Sequence, residues 1–106
     1  MKESLLVRKI KDYIASIGGY AIKYPGGPYS ERGVPDLIFF LPCLCCRRAL
    51  IGFCEVKTDK GVVSVGQARW IAMAKSYGAL AFVARSVSEV EKELRLAVWL
   101  PVEKLP

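Results

Sequence analysis

Two apolar runs with charges set into their ends constrain this chain more than any other feature. One is Gly33-Val34-Pro35-Asp36-Leu37-Ile38-Phe39-Phe40 and the other is Phe53-Cys54-Glu55-Val56-Lys57. Runs rich in Ile, Phe and Val read as strands buried on both faces. Asp36, Glu55 and Lys57 are then charges attached to the sheet of a hydrophobic core. A buried charge is unfavourable unless it is paired or binds a metal. The three together therefore predict a site.

The rest of the chain reads as elements around those runs. Val7, Ile10, Ile14 and Ile17 recur at spacings of three and four, which predicts a helix over 3–17 ended by Gly18-Gly19. Glu3 lies two turns before Ile10, less about 20° of rotation, so it is expected to project from the buried face. A helix-end acid favoured by the macrodipole is the other reading of Glu3. A short strand over 20–24 is broken by Pro25-Gly26-Gly27-Pro28, and a loop runs to residue 35. Strands over 36–41 and 49–57 form a hairpin, with Glu55 and Lys57 on one face because side chains alternate. Antiparallel pairing brings Asp36, at the start of one strand, beside Glu55, at the end of the next.

Ser64 with Gln67 three residues later is a capping box opening a helix to about Tyr77, stopped by Gly78. A strand over 79–84 follows, then a helix capped by Ser86 with Glu89 at the capping-box position. Residues 96–100 read as a last short strand or an extended tail. The strand-helix-strand step predicts a right-handed parallel crossover. The fold class is α/β, in the order α-β-β-β-α-β-α, with a mixed central sheet flanked by helices.

With 106 residues the chain is expected to form one domain with a real core. Sixteen Lys and Arg against ten Asp and Glu leave a net charge of +6, which suits a polyanionic partner such as nucleic acid. Solubility alone is the competing reason for such a surplus. No apolar stretch approaches the length that spans a bilayer, and the charged start is not a signal peptide. No membrane partner and a cytoplasmic location, in a bacterial cell or a virus-infected host cell, are expected. Cys43 and Cys46 make one C-x-x-C spacing, and Cys54 adds a single further thiol. With no histidine in the chain, zinc is disfavoured there.

Two acids with no histidine suit a hard cation, Mg2+ or Mn2+. A lysine on the same strand face can orient the attacking water or stabilise charge on a phosphate. The competing reading is a structural ion pair between Lys57 and Glu55 or Asp36. Metal-assisted phosphodiester hydrolysis on a basic surface accounts for all the features together.

These residues carry a resemblance. Pro35-Asp36 followed by Glu55-Val56-Lys57 resembles the PD-(D/E)XK nuclease pattern. With Glu3, Arg32-Gly33-Val34-Pro35-Asp36-Leu37, Glu55-Val56-Lys57-Thr58, Val63-Ser64-Val65-Gly66-Gln67 and the glycine of Tyr77-Gly78-Ala79, the chain resembles the small stand-alone members of the VRR-NUC family. The resemblance covers 3 to about 84. It implies a restriction-endonuclease-like core and a Mg2+- or Mn2+-dependent, structure-selective DNA endonuclease similar to Holliday-junction resolvases. Asp36, Glu55, the Val56 carbonyl and Glu3 would hold the metal, Lys57 would assist the attacking water, and Gln67 would sit beside the site. A flap or single-strand nuclease with the same site, or a non-catalytic DNA-binding module, are the alternatives. Arg32, Lys60 and Arg69 are candidate phosphate contacts, each equally able to be a solvated surface charge. Two symmetry-related cuts in branched DNA imply a homodimer. The Cys43-Leu44-Cys45-Cys46-Arg47-Arg48 turn departs from the family pattern.

Overall fold

The apolar runs pair as the sequence predicts. This computed structural model describes residues 1–43 and 48–97. The elements are α1 (Glu3–Ser16), β1 (Tyr20–Lys23), β2 (Leu37–Pro42), β3 (Ala49–Val56), α2 (Val65–Ser76), β4 (Leu80–Ala84) and α3 (Val87–Leu96). The strands form one sheet in the order β1-β2-β3-β4. β1 and β3 each pair antiparallel with β2, and β4 runs parallel to β3. The parallel step from β3 to β4 passes through α2, which is the strand-helix-strand succession that the sequence predicts.

One sheet face carries the main core. Leu37, Phe39, Leu41, Cys54, Val56, Phe82 and Ala84 meet Leu6, Val7, Ile10 and Ile14 of α1 and Val90 and Leu94 of α3. These sheet residues alternate along their strands, so they share a face. On the opposite face α2 brings Ile71 and Ala74 onto Ala81, with Phe53, Trp70 and Val83 around them. The apolar runs predict strands buried on both faces, and on this second side they are not. Tyr20 is 66% exposed, Phe40 40% and Ile51 46%, and the register sets them in one row across three strands. The reason is coverage: on this face α2 packs over β4 and the Phe53 end of β3, and leaves β1, β2 and the Ile51 end of β3 bare.

The local signals account for the boundaries. α1 ends where Gly18 turns to φ +90 and the Gly19 N–H donates back to the Ile14 carbonyl at 2.9 Å. α2 opens with the full capping box, Ser64 and Gln67 exchanging both bonds. α3 keeps only half of its predicted box. Ser86 accepts from the Glu89 N–H, but the Glu89 carboxylate reaches one residue further back to the Arg85 N–H at 2.7 Å. The expected tail strand falls mainly on residues outside the described ones, as do Leu44, Cys45, Cys46 and Arg47 of the hairpin turn. The Cys43 N–H donates to the Arg48 carbonyl at 2.8 Å across that turn. Cys54 pairs with Leu37 at the other end of the hairpin, so it is not a third ligand beside Cys43.

Candidate active site

The hairpin register decides where the charges meet. Leu37 stands opposite Cys54, so the next pair outward is Asp36 opposite Glu55. The Tyr24 N–H donates to the Asp36 carbonyl at 2.8 Å and carries the β1–β2 pairing out to the same level. Asp36 Oδ2 accepts from the Val56 N–H at 2.8 Å, which clips the start of β2 to the end of β3. The Lys57 N–H donates to the Ala84 carbonyl at 3.1 Å, so the lysine backbone is held by β4. Asp36, Glu55 and Lys57 therefore converge at one end of the sheet, as antiparallel pairing predicts.

Glu55 is the buried member, at 2% exposure. Its Oε2 accepts from Gln67 Nε2 at 2.9 Å and lies 3.3 Å from Lys57 Nζ. Burial and then the Asp36 carboxylate beside it push Glu55 from its ordinary 4.5 up to about 7, while the Lys57 ammonium pulls it back. Two carboxylates that close cannot both ionise cheaply without a cation between or beside them. Among the described residues no buried side-chain polar atom lacks a hydrogen-bond partner, so the site is strained in charge and not in hydrogen bonding.

Gln67 satisfies both of its readings at once. Its Oε1 accepts from the Ser64 N–H at 2.9 Å as the cap, and its Nε2 donates to Glu55. An amide has a separate acceptor and donor end, so one side chain does both. The cap thereby fixes the rotamer that holds Glu55. Gly33 brings the preceding loop against the same helix end. It sits at φ +84, and a Cβ there would lie 2.7 Å from the Gly66 carbonyl oxygen. The Trp70 Nε1–H donates to Glu31 at 2.8 Å and ties the loop to α2 a second time.

Glu3 requires a correction. Its spacing from Ile10 predicts projection from the buried face, yet it is exposed in the first turn of α1. It shares the azimuth of buried Ile10, but burial in α1 begins only at Leu6, and direction on a helix is not burial. Met1 and Leu6 line a cavity of about 230 Å3 with Thr58, Asp59 and Lys60, so the start of α1 faces the loop after β3. Among the described residues no three His, Cys, Asp or Glu side chains are grouped to hold a metal ion. Two side-chain carboxylates still fit Mg2+ or Mn2+. Magnesium commonly takes one or two carboxylates and completes its shell with water and substrate phosphate. The Val56 carbonyl belongs to the residue whose N–H binds Asp36.

Arg32, Lys60 and Arg69 are all exposed, and none makes an ion pair among the described residues. Sequence reasoning misses Arg85. Its Nη1 donates to the Thr58 carbonyl at 2.7 Å and the Gly61 carbonyl at 2.8 Å, pinning the loop that follows Lys57. Gly61 packs against the Lys57 stem, where a Cβ would come within 3.1 Å of Cδ. No sequence pattern marks Arg85, because its acceptors are backbone carbonyls more than twenty residues away. Cys54 is no candidate nucleophile: burial, with the Asp36 and Glu55 charges, pushes its thiol far up.

The α-β-β-β-α-β-α order with a mixed sheet is a restriction-endonuclease-like core, and solved structures share it. A protein described as a VRR_NUC domain is 28% identical over 88% of this chain and 94% of its own, with a TM-score of 0.67. A second VRR_NUC domain protein is 18% identical over 100% of this chain and 98% of its own, with a TM-score of 0.65. The Holliday junction resolvase of Archaeoglobus fulgidus is 22% identical over 78% of this chain and 67% of its own, with a TM-score of 0.57. No protein-family model and no curated protein sequence matches the chain. The solved structures bear out the resemblance to the VRR-NUC family, and the fold is of nuclease type.

Proposed function

We propose that the protein is a Mg2+- or Mn2+-dependent endonuclease that cuts branched DNA in the manner of a Holliday-junction resolvase. The observation that carries this is the buried Glu55 carboxylate held against Asp36, with Lys57 at 3.3 Å and Gln67 at 2.9 Å. Similarity to a VRR_NUC domain and to the fold of an archaeal resolvase supports the substrate class.

Asp36 and Glu55 would hold the cation, with the Val56 carbonyl beside them. When bound, the cation would polarise the scissile phosphate and make the attacking water more acidic. Asp36 is kept in place by the Val56 N–H, and Glu55 by Gln67. Lys57 keeps 16% of its side chain exposed, and its ammonium can meet a phosphate oxygen or orient water. In the reaction water adds to phosphorus, one P–O ester bond breaks, and the leaving oxygen takes a proton. Glu3 would join the cation's outer shell through water, since α1 begins beside the loop after β3. Arg32, Lys60 and Arg69 would contact phosphates and leave bases unread.

One chain supplies one such site, so a four-way junction needs a two-fold pair of chains. The sheet face left bare by α2, with Tyr20, Phe40 and Ile51, offers apolar surface for that pairing. The deciding experiment incubates the protein with four-way, flap and linear DNA in Mg2+, Mn2+ or EDTA. Paired cuts in the four-way junction with metal alone are expected. Cutting confined to flaps or single strands would move the substrate elsewhere. No cutting of any substrate with either metal would refute the enzyme.

A further inference from the structure

The cleft between α1 and the free edge of β1 is lined by cations that the site above does not use. Ser4, Arg8 and Lys11 fall along one stripe of α1, because residues three and four apart are neighbours on a helix. Val7 on that stripe is buried and anchors it to the core. Lys23, the last residue of β1, forms the opposing wall. With Asp12 these residues enclose about 440 Å3. Arg8, Lys11 and Lys23 make no ion pair among the described residues, where the pairs are Lys57–Glu55 and Arg95–Glu91. Three cations against the single Asp12 carboxylate leave the cleft positive. Lys11 is half-buried, and a concave, low-dielectric wall focuses that field outward.

The position of the cleft is what gives the charge a purpose. Lys23 pairs with Leu37, and the next N–H, that of Tyr24, donates to the Asp36 carbonyl at 2.8 Å. The cleft thus opens at the same end of the sheet as Asp36 and Glu55. Lys23 shares the face of Ala21, which packs towards α1, whereas Glu55 faces α2. A nucleic-acid strand crossing the end of the sheet would have the carboxylates on one side and these cations on the other.

We propose that the Arg8–Lys11–Lys23 cleft is a second phosphate-binding site, for the backbone of the DNA whose cleavage is proposed above; it rests on that reading. It binds charge and shape and no base edge, so it adds affinity without sequence preference.

The test measures binding of a labelled four-way junction to the full chain in EDTA, by anisotropy across a series of salt concentrations. Arg8→Gln, Lys11→Gln and Lys23→Gln together are expected to weaken binding by roughly tenfold or more near physiological salt. The slope of log affinity on log salt should fall by about 2.7, at roughly 0.9 for each of the three phosphates that the variant leaves unneutralised. Arg48→Gln, Lys75→Gln and Lys92→Gln together, on other surfaces, are the control for net charge and should change the slope little. Thermal melting checks that the triple variant is folded, and carrying Arg8→Lys in place of Arg8→Gln should recover part of the slope. A triple variant no weaker than the control, with its slope unchanged while the unmodified chain binds and cuts DNA, overturns the cleft alone. An unmodified chain that neither binds nor cuts DNA overturns the nuclease reading and the cleft with it.

Discussion

Acid should stabilise the metal-free protein, and a divalent cation should replace acid in doing so. Glu55 titrates near 7 in the fold against an ordinary 4.5, chiefly because it is buried and secondly because Asp36 stands beside it. Between those two values the folded chain holds a proton that the unfolded chain has released. The stability from this group is therefore fully present below 4.5 and is lost as pH rises through 7. At about 1.36 kcal/mol per pH unit the difference is on the order of 3 kcal/mol. In a chain of this size that corresponds to a fall in Tm of roughly 10 °C or more between pH 4.5 and 8. A cation held by Asp36 and Glu55 competes with that proton. Millimolar Mg2+ or Mn2+ should then raise Tm at pH 8 and have little effect at pH 4.5. Glu55→Gln removes the titrating group and should flatten both dependences. The assay is thermal unfolding across this range, with and without metal, for both chains. If Glu55→Gln keeps the same pH slope and the same metal response, Glu55 is not the linked group and the two-carboxylate site is wrong.

Gln67→Glu and Gln67→Ala separate the two duties of one side chain. Gln67→Ala loses a bond to a buried carboxylate and should cost about 2 kcal/mol; Gln67→Glu keeps an oxygen for the Ser64 N–H but sets a third carboxylate against Glu55, so its Tm deficit should grow with pH, and a deficit independent of pH would leave only the cap. Gly33→Ala forces a Cβ to 2.7 Å from the Gly66 carbonyl at φ +84. About 2 kcal/mol or more of destabilisation is expected, with weaker cleavage because Asp36 follows three residues later; an unchanged Tm and rate would mean the loop does not need that approach. Arg85→Gln frees the carbonyls of Thr58 and Gly61. It should lower kcat more than it raises KM by loosening the loop against Lys57, with Arg85→Lys recovering part of the rate; a loss in KM alone would place Arg85 in DNA binding instead.

The strands, the hairpin and the crossover are legible in the sequence because each rests on local pattern. Alternating apolar residues, glycine stops and the Ser64–Gln67 spacing act over fewer than five residues. The pairing of Asp36 with Glu55 is legible too, because a hairpin's register follows from its two strands. Glu3 is misplaced by sequence because azimuth on α1 says which way a side chain points and nothing of where along the helix burial begins, which is at Leu6. Phe40 is misplaced because an apolar run does not say how much of the sheet α2 will cover. The spacing puts Glu89 in a box with Ser86, but a longer reach to the Arg85 N–H wins.

The sequence by itself determined the element order, the meeting of two acids and a lysine at one sheet end, and the excess of positive charge. Those follow from periodicity, pairing and composition, which are properties of near neighbours along the chain. Only the tertiary structure decided that Gln67 holds Glu55 while capping its helix, that Arg85 pins the loop behind Lys57, and that Arg8, Lys11 and Lys23 share one cleft. Each of these joins residues twelve or more positions apart, through the packing of α1, α2 and β4 on the sheet, and that packing is what turns separate charges into a site.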